Sequence, residues 1–340
     1  MGSNDLDPDR VLRLERYIAE HVPGARGPLS TERIGGGQSN PTFFVTMGDR
    51  RMVLRMQPEG ELLPSAHAVD REFRVMAALA GSGVPVPRML AYSDDRAIVG
   101  TKFFLMERVA GRVFQGAEIP GVPATDRHAM YLSAVATLAR LHKADWRALG
   151  LGDFGKRGNY FRRQIERWTR QWQASRSREI PEIDRLIEWL PSRIPEDDRV
   201  VICHGDYRIG NLMFDAHGTE VAAVLDWELA TLGHPLADLA FFCIPFHTAA
   251  AEYRGVRDLD QRALGIPSEA ELVAHYSRVL GEPMALLPFH LAFALFRFAV
   301  IFVGIEARAA QGNAAGGDAA SVGKLSGVFA ARACSIAGLA

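Results

Sequence analysis

The sequence predicts an α+β chain, with a small antiparallel β-sheet lobe over residues 1–108 and a larger, mainly helical lobe over residues 109–340. Short extended runs separated by glycine turns crowd the first third, and apolar residues recur at helical spacing over most of the remaining chain. With 340 residues, 48% of them hydrophobic, the chain has ample apolar surface for two packed bodies. Its 39 basic and 40 acidic side chains leave a net charge of -1, which argues against a nucleic-acid or membrane-surface partner. Cys203, Cys243 and Cys334 are scattered and form no CxxC pair, so a reducing, cytoplasmic setting is expected. Residues 1–10 are polar and acidic, unlike a signal peptide.

Residues 8–22 carry Val11, Leu14, Ile18 and Val22 at helical spacing, and Gly24 and Pro28 end that helix. A glycine run, Gly35-Gly36-Gly37, precedes an extended stretch at 42–47. The turn Gly48-Asp49-Arg50 then leads into a strand at 51–56, which completes a meander. Over 66–79 the period lengthens, with Val69, Phe73, Met76 and Ala80 on one helical face and Glu72 beside it. Extended stretches at 89–93 and 101–106 follow, and the chain leaves the sheet at residues 107–111. Helices are expected at 127–146, 160–175 and 182–190, short strands within 200–230, and helices again from Leu236. Residues 309–323, rich in glycine and alanine, read as a loop. The apolar run 290–305 approaches membrane-spanning length, but Arg297 at its middle makes it a buried core helix.

The chemistry concentrates in His204-Gly205-Asp206-Tyr207-Arg208-Ile209-Gly210-Asn211 and in Val224-Leu225-Asp226-Trp227-Glu228. Asp206 and Asn211 follow one apolar strand at 200–202, and Asp226 ends a second at 221–225. The turn signal Asp215-Ala216-His217-Gly218 between them predicts that these two strands pair as a hairpin, returning Asp226 toward Asn211. Phosphoryl transfer needs such a set: a carboxylate to orient and deprotonate a hydroxyl, and an amide oxygen with a second carboxylate to hold Mg²⁺ against nucleotide phosphates. An Asp five residues before an Asn, followed by a metal-binding Asp, is also the spacing of the protein-kinase catalytic loop. Any one of these residues alone would read as a turn former; three at matched spacing do not.

HGDYRIGNLMFD and VLDWELATLGHPLADLA resemble the catalytic and metal-binding motifs of the aminoglycoside phosphotransferase and choline kinase superfamily. VLRMQPEGELLPSAHAVDREFRVMAAL and GVPVPRML resemble one branch of it, the kinase-like domain fused to acyl-CoA dehydrogenases in animals, and the likeness covers roughly residues 30–310. The resemblance implies a bilobal protein-kinase-like fold and an enzyme moving the γ-phosphate of ATP or GTP, with Mg²⁺, to a small-molecule hydroxyl. It makes Asp206 the catalytic base, Asn211 and Asp226 the magnesium ligands, and Gly35, Gly36, Gly37, Gln38, Ser39 and Asn40 the loop over the phosphates. That loop departs from GxGxxG, so alone it is no more than a turn. None of the four lysines, Lys102, Lys143, Lys156 and Lys324, stands on the strand where a phosphate-pairing lysine is expected; Arg55 does, with Glu72 as its helix partner. Glu107 to Val109 would be the hinge that meets the purine. Asp238 is expected to support the catalytic loop through hydrogen bonds, His204 to be a satisfied hydrogen-bonding residue at a strand-to-loop junction, and His142 and Cys203 to be packing residues.

Residues 156–178 hold eight basic side chains and one acid, Glu166, which suits neither a polycationic aminoglycoside nor a choline cage. A neutral or anionic hydroxylated acceptor is therefore expected, a hydroxyacyl thioester of coenzyme A being what the animal branch implies. Arg162, Arg163 and Arg167 are candidate contacts to its anionic groups. The alternatives are an antibiotic phosphotransferase and a nucleotide-binding pseudokinase. Purine preference and oligomeric state stay open.

Overall fold

The computed structural model describes residues 6–35, 40–60, 68–310 and 323–339. The chain divides into two compact units, one of residues 1–110 with 222–230, the other of residues 111–221 with 231–340.

The first unit opens with helix α1 (Pro8–His21), started by the Asp7 carboxylate accepting from the Arg10 N–H at 2.9 Å and by proline at its first position. Five strands follow, β1 (Leu29–Arg33), β2 (Thr42–Met47), β3 (Arg50–Met56), β4 (Met89–Ser93) and β5 (Phe103–Glu107), in the antiparallel order β1-β2-β3-β5-β4. The meander expected over residues 31–56 is therefore present, and β2 alternates buried and half-buried side chains as a one-faced strand must. Its turn depends on Gly48, at φ +58°, where a Cβ would sit 2.5 Å from the Arg26 carbonyl oxygen. Helix α2 (Val69–Leu79) buries Val69, Glu72, Val75, Met76 and Leu79, and a short helix α3 (Arg96–Val99) precedes β5. Leu14 and Ile18 of α1 pack with Phe43, Val45, Leu54, Phe103 and Leu105 of the sheet into one apolar core.

Segment 222–230 belongs to this unit, although the sequence places all of 109–340 in the other lobe. Local hydrogen bonds explain the difference: the Val224 N–H donates to the Pro85 carbonyl at 2.9 Å, and Arg71 donates to the Ala230 carbonyl at 3.2 Å.

The second unit is mainly helical. It contains α4 (Ala124–Lys143), α5 (Tyr160–Ser175), α6 (Pro181–Trp189), α7 (Pro235–His247), α8 (Gln261–Leu264), α9 (Glu269–Leu280), α10 (Pro288–Ala310) and α11 (Leu325–Ala337). Its strands are short: β6 (Arg112–Val113), β7 (Val201–Cys203), β8 (Leu212–Phe214) and β10 (Thr231–Gly233), with the unit boundary passing through β9 (Val221–Val224). The expected pairing of 200–202 with 221–225 does not occur. Strand β7 pairs antiparallel with β10, Cys203 opposite Thr231, while residues 212–214 form a strand that the sequence did not betray. The turn at 215–218 is nonetheless built as its residues require, with Asp215 Oδ1 accepting from the His217 and Gly218 N–H groups at 2.9 and 2.8 Å.

Helix α10 is long and apolar enough to cross a bilayer, but its side chains are mostly buried within the unit. Phe298 and Phe302 meet Phe329 of α11 at 4.8 and 4.9 Å between ring centres, and Phe298 meets Phe241 of α7 at 5.8 Å. Most of the loop expected at 309–323 lies outside the described residues. All three cysteines are free and buried.

Candidate active site

The loop that carries Asp206 leaves β7 and is fastened by hydrogen bonds before it reaches that residue. The buried Asp238 carboxylate, in the first turn of α7, accepts the His204 N–H at 2.7 Å and the Gly205 N–H at 2.9 Å. Burial would raise this carboxyl, but the hydrogen bond from His142 and the nearby His204 and Gly205 donors hold it below the ordinary aspartate value. His142 in turn sits 2.6 Å from the Tyr276 hydroxyl. Among the described residues, His142, Cys203 and Asp238 are the one set of His, Cys and carboxylate groups close enough to share an ion. Asp238 is already spent on backbone amides, and burial keeps the Cys203 thiol protonated, so this trio is a brace for the loop.

From the other side, Arg297 of α10 donates to the Gly205 carbonyl, and the Asp206 N–H donates to Nδ1 of His204 at 3.2 Å. The Asp206 side chain emerges 23% exposed, and one carboxylate oxygen accepts from Asn211 Nδ2 at 2.7 Å and from Arg208 Nε at 3.3 Å. Asn211 Nδ2 also donates to the Asp206 carbonyl at 2.8 Å. The amide nitrogen is thereby used up, and Asn211 keeps its side-chain oxygen for another partner. In the sequence Arg297 serves only as an argument against a membrane span; a lone arginine within an apolar helix is the signal that marks it.

The first unit holds a second charged cluster. Arg55 on β3 donates from Nε to Glu72 at 2.9 Å and from Nη2 to Asp226 at 2.7 Å. Burial works against the Arg55 charge, but the Glu72 and Asp226 carboxylates outweigh it and hold the guanidinium above its usual pKa. Glu72 is 1% exposed, and desolvation pushes it up to about 7 against the pull of Arg55. Asp226 keeps a carboxylate 35% exposed on a left-handed backbone, φ +65°, an uncommon conformation for a residue other than glycine.

Of the expected phosphate loop, Gly36, Gly37, Gln38 and Ser39 lie outside the described residues. Gly35 has open space where a Cβ would stand. Asn40, placed in that loop by the sequence, turns its side chain inward and donates to Glu72 Oε1 at 2.8 Å, which makes it a brace for the Arg55 cluster. At the expected hinge, the Glu107 N–H is taken by the Arg88 carbonyl at 2.9 Å and its carboxylate by Arg88 Nε at 3.0 Å. Among the described residues, Val109 has no backbone hydrogen bond, so its polar groups are the ones left for a ligand. Of the arginines singled out on α5, Arg163 is committed to the Lys156 and Arg157 carbonyls at 2.6 and 3.4 Å.

Residues 30–272 match the family described as phosphotransferase enzyme family. The chain belongs to that family. It is 42% identical over 316 residues to acyl-CoA dehydrogenase family member 10 of Mus musculus, and 42% identical over 312 residues to acyl-CoA dehydrogenase family member 11 of Gallus gallus. Those matches take in 92% and 88% of this chain but only 30% and 40% of the relatives, so the chain spans less than half their length. A crystal structure from Ralstonia eutropha JMP134, provisionally described as an aminoglycoside phosphotransferase, superposes with a TM-score of 0.88 at 43% identity, covering 96% of this chain and 98% of that one. A thermostable mutant of aminoglycoside phosphotransferase APH(4)-Ia, bound to ADP and hygromycin B, superposes at 0.60 with 15% identity over 94% of this chain and 98% of that one, a likeness of fold alone. The fold is thus the kinase-like α+β fold of these phosphotransferases.

Proposed function

We propose that the protein transfers the γ-phosphate of ATP, or GTP, to a hydroxyl of a small molecule in a magnesium-dependent reaction. The observation that carries this reading is the Asp206 carboxylate, braced through Asp238 and Arg297, clamped by Asn211 and open to solvent on its working face. In that position it would accept the proton of the acceptor hydroxyl as the new P–O bond forms and the bond to the departing nucleoside diphosphate breaks. Asn211, through its free amide oxygen, and Asp226, through the carboxylate oxygen not taken by Arg55, are hard oxygen donors of the kind magnesium selects. The cation would neutralise charge on the transferring phosphates. Arg55, already poised between two carboxylates, would hold phosphate oxygens with a guanidinium where a lysine is more usual. The presence of Asp206, Asn211 and Asp226 at the spacing phosphoryl transfer uses argues against a pseudokinase.

The acceptor is proposed to be a hydroxyacyl thioester, or an alcohol of similar apolar and anionic character. Support comes from the lining of a small crevice in the second unit, beside the loop that carries Asp206. Tyr131, Phe242, Tyr253 and Phe298 wall it, and Arg208 and Arg254 stand at it. Aromatic walls and guanidinium groups suit an apolar chain with an anionic end and oppose a polycation, which needs carboxylates. The test is a phosphorylation screen of the purified chain with ATP and Mg²⁺, read by mass spectrometry. Turnover of hydroxyacyl-coenzyme A compounds in preference to kanamycin is expected; efficient kanamycin phosphorylation with no turnover of hydroxyacyl compounds would reject the acceptor assignment.

A further inference from the structure

Helices α5 and α10 of the second unit bring together polar groups that can only donate. Arg297 is 5% exposed; it gives one N–H to the Gly205 carbonyl, while its Nε–H is buried with no acceptor. The Trp168 indole N–H is also buried without an acceptor. The Arg297 guanidinium carbon lies 5.5 Å from the centre of the Trp168 ring, and that of Arg167 lies 5.3 Å from the same ring. Among the described residues, no carboxylate comes within ion-pair distance of Arg167 or Arg297. Burial together with the Arg297 charge lowers the pKa of Arg167. Two guanidinium groups around one indole, with two orphaned N–H donors and no counter-charge, are costly to maintain unless something negative completes them.

We propose that Arg167, Trp168 and Arg297 form an anion-binding subsite that receives a phosphate or carboxylate group of the acceptor. The inference rests on the phosphotransferase reading for the identity of the ligand, but not for the existence of the site. Its chemistry follows from the donor set: guanidinium forks and an indole N–H match the lone pairs of an oxyanion and offer nothing to a cation or an alcohol proton. Its assignment to the acceptor follows from two neighbours. Arg297 holds the carbonyl of the residue preceding Asp206, so the same guanidinium joins the subsite to the catalytic loop. The same guanidinium carbon lies 4.9 Å from the ring centre of Phe241, which also lines the apolar crevice. An acceptor with its apolar portion in the crevice would thus have its anionic group within reach of the three donors. Arg167, the least buried of the three, is the entrance.

Indole N–H resonances of the full chain, followed by NMR while inorganic phosphate or sulfate replaces chloride at constant ionic strength, test this directly. There are five tryptophans, and Trp168→Phe assigns the relevant signal. Trp146, Trp172 and Trp227, whose indole N–H groups already donate to Val200, Asp184 and Val224, serve as internal controls. A saturable shift of the Trp168 signal is expected, weakened about tenfold or more in Arg167→Ala. It should persist in Asp206→Asn and in the presence of saturating Mg-ATP. No saturable shift would mean that water alone satisfies these donors and would overturn the site. A shift unaltered by Arg167→Ala would overturn it too, and displacement by Mg-ATP would overturn its assignment to the acceptor. Binding of phosphate by a chain that phosphorylates no alcohol would leave the site standing and remove only the phosphotransferase reading.

Discussion

Asp206 receives side-chain hydrogen bonds from Asn211 and Arg208 on a single oxygen, which leaves the other free to meet an incoming hydroxyl. Replacing it with asparagine keeps the size and one acceptor but removes the base. Asp206→Asn should therefore lower kcat about 10²–10⁴-fold while nucleotide affinity, measured by calorimetry, stays within a few-fold of the parent. An unchanged kcat would reject Asp206 as the proton acceptor. The residue scale is also where the sequence was most and least informative. The spacing of Asp206, Asn211 and Asp226 was visible because the motif is local. The inward turn of Asn40 toward Glu72 was not, since nothing in the residues around Asn40 reveals a partner 32 positions away. Arg297 reaches a carbonyl 92 residues distant, and only its anomaly within an apolar helix hinted at a function.

Among the elements, α10 carries the second unit's core. Phe302 is almost wholly buried, with ring centres of Phe298 at 4.7 Å, Tyr253 at 4.9 Å and Phe329 at 4.9 Å. Phe302→Ala removes a large apolar surface and leaves a void that rigid neighbours cannot fill, so a loss of about 3–5 kcal/mol is expected in denaturant unfolding. A cost below about 1 kcal/mol would show that α11 can close over the gap. Long elements such as α1, α4 and α10 were legible because periodicity needs length to declare itself. Strands β7, β8 and β10 have three residues each, too few for alternation to be read, and the hairpin assigned to 200–202 and 221–225 failed for that reason.

For the molecule as a whole, acid stability rests on two histidines. His234 and His290 are buried, and their rings stack 6.1 Å apart. Desolvation, the neighbouring Arg199 and His142 charges at His234, and His234 itself at His290 push both pKa values down to about 4, more than Asp197 can restore. The unfolded chain binds protons on both near pH 6.5, so between 6.5 and 4 it holds more protons on these two rings than the folded chain does. The histidine contribution to stability is therefore lost as pH drops through that window, and it is partly offset by Glu72, whose carboxyl, raised to about 7, gains its proton more readily in the folded chain. Thermal unfolding between about pH 7.5 and 5 should show the decline, and His290→Phe should flatten it. The sequence places the boundary between its lobes where a run of extended segments gives way to helices, near residue 108. The transfer of 222–230 to the first unit was not legible there, because it depends on hydrogen bonds to residues remote in sequence, that between Arg71 and Ala230 joining positions 159 apart.

The three thiols have a use that chemistry confers on them by confinement. Cys203 stands immediately before the loop that carries Asp206, Cys243 within α7 and Cys334 within α11, each buried in the second unit. A thiolate-seeking reagent can reach them only while the surrounding helices part, so alkylation becomes a clock for those excursions. Slow modification of the intact chain, accelerated in Phe302→Ala, would time the breathing of this unit without any label being introduced.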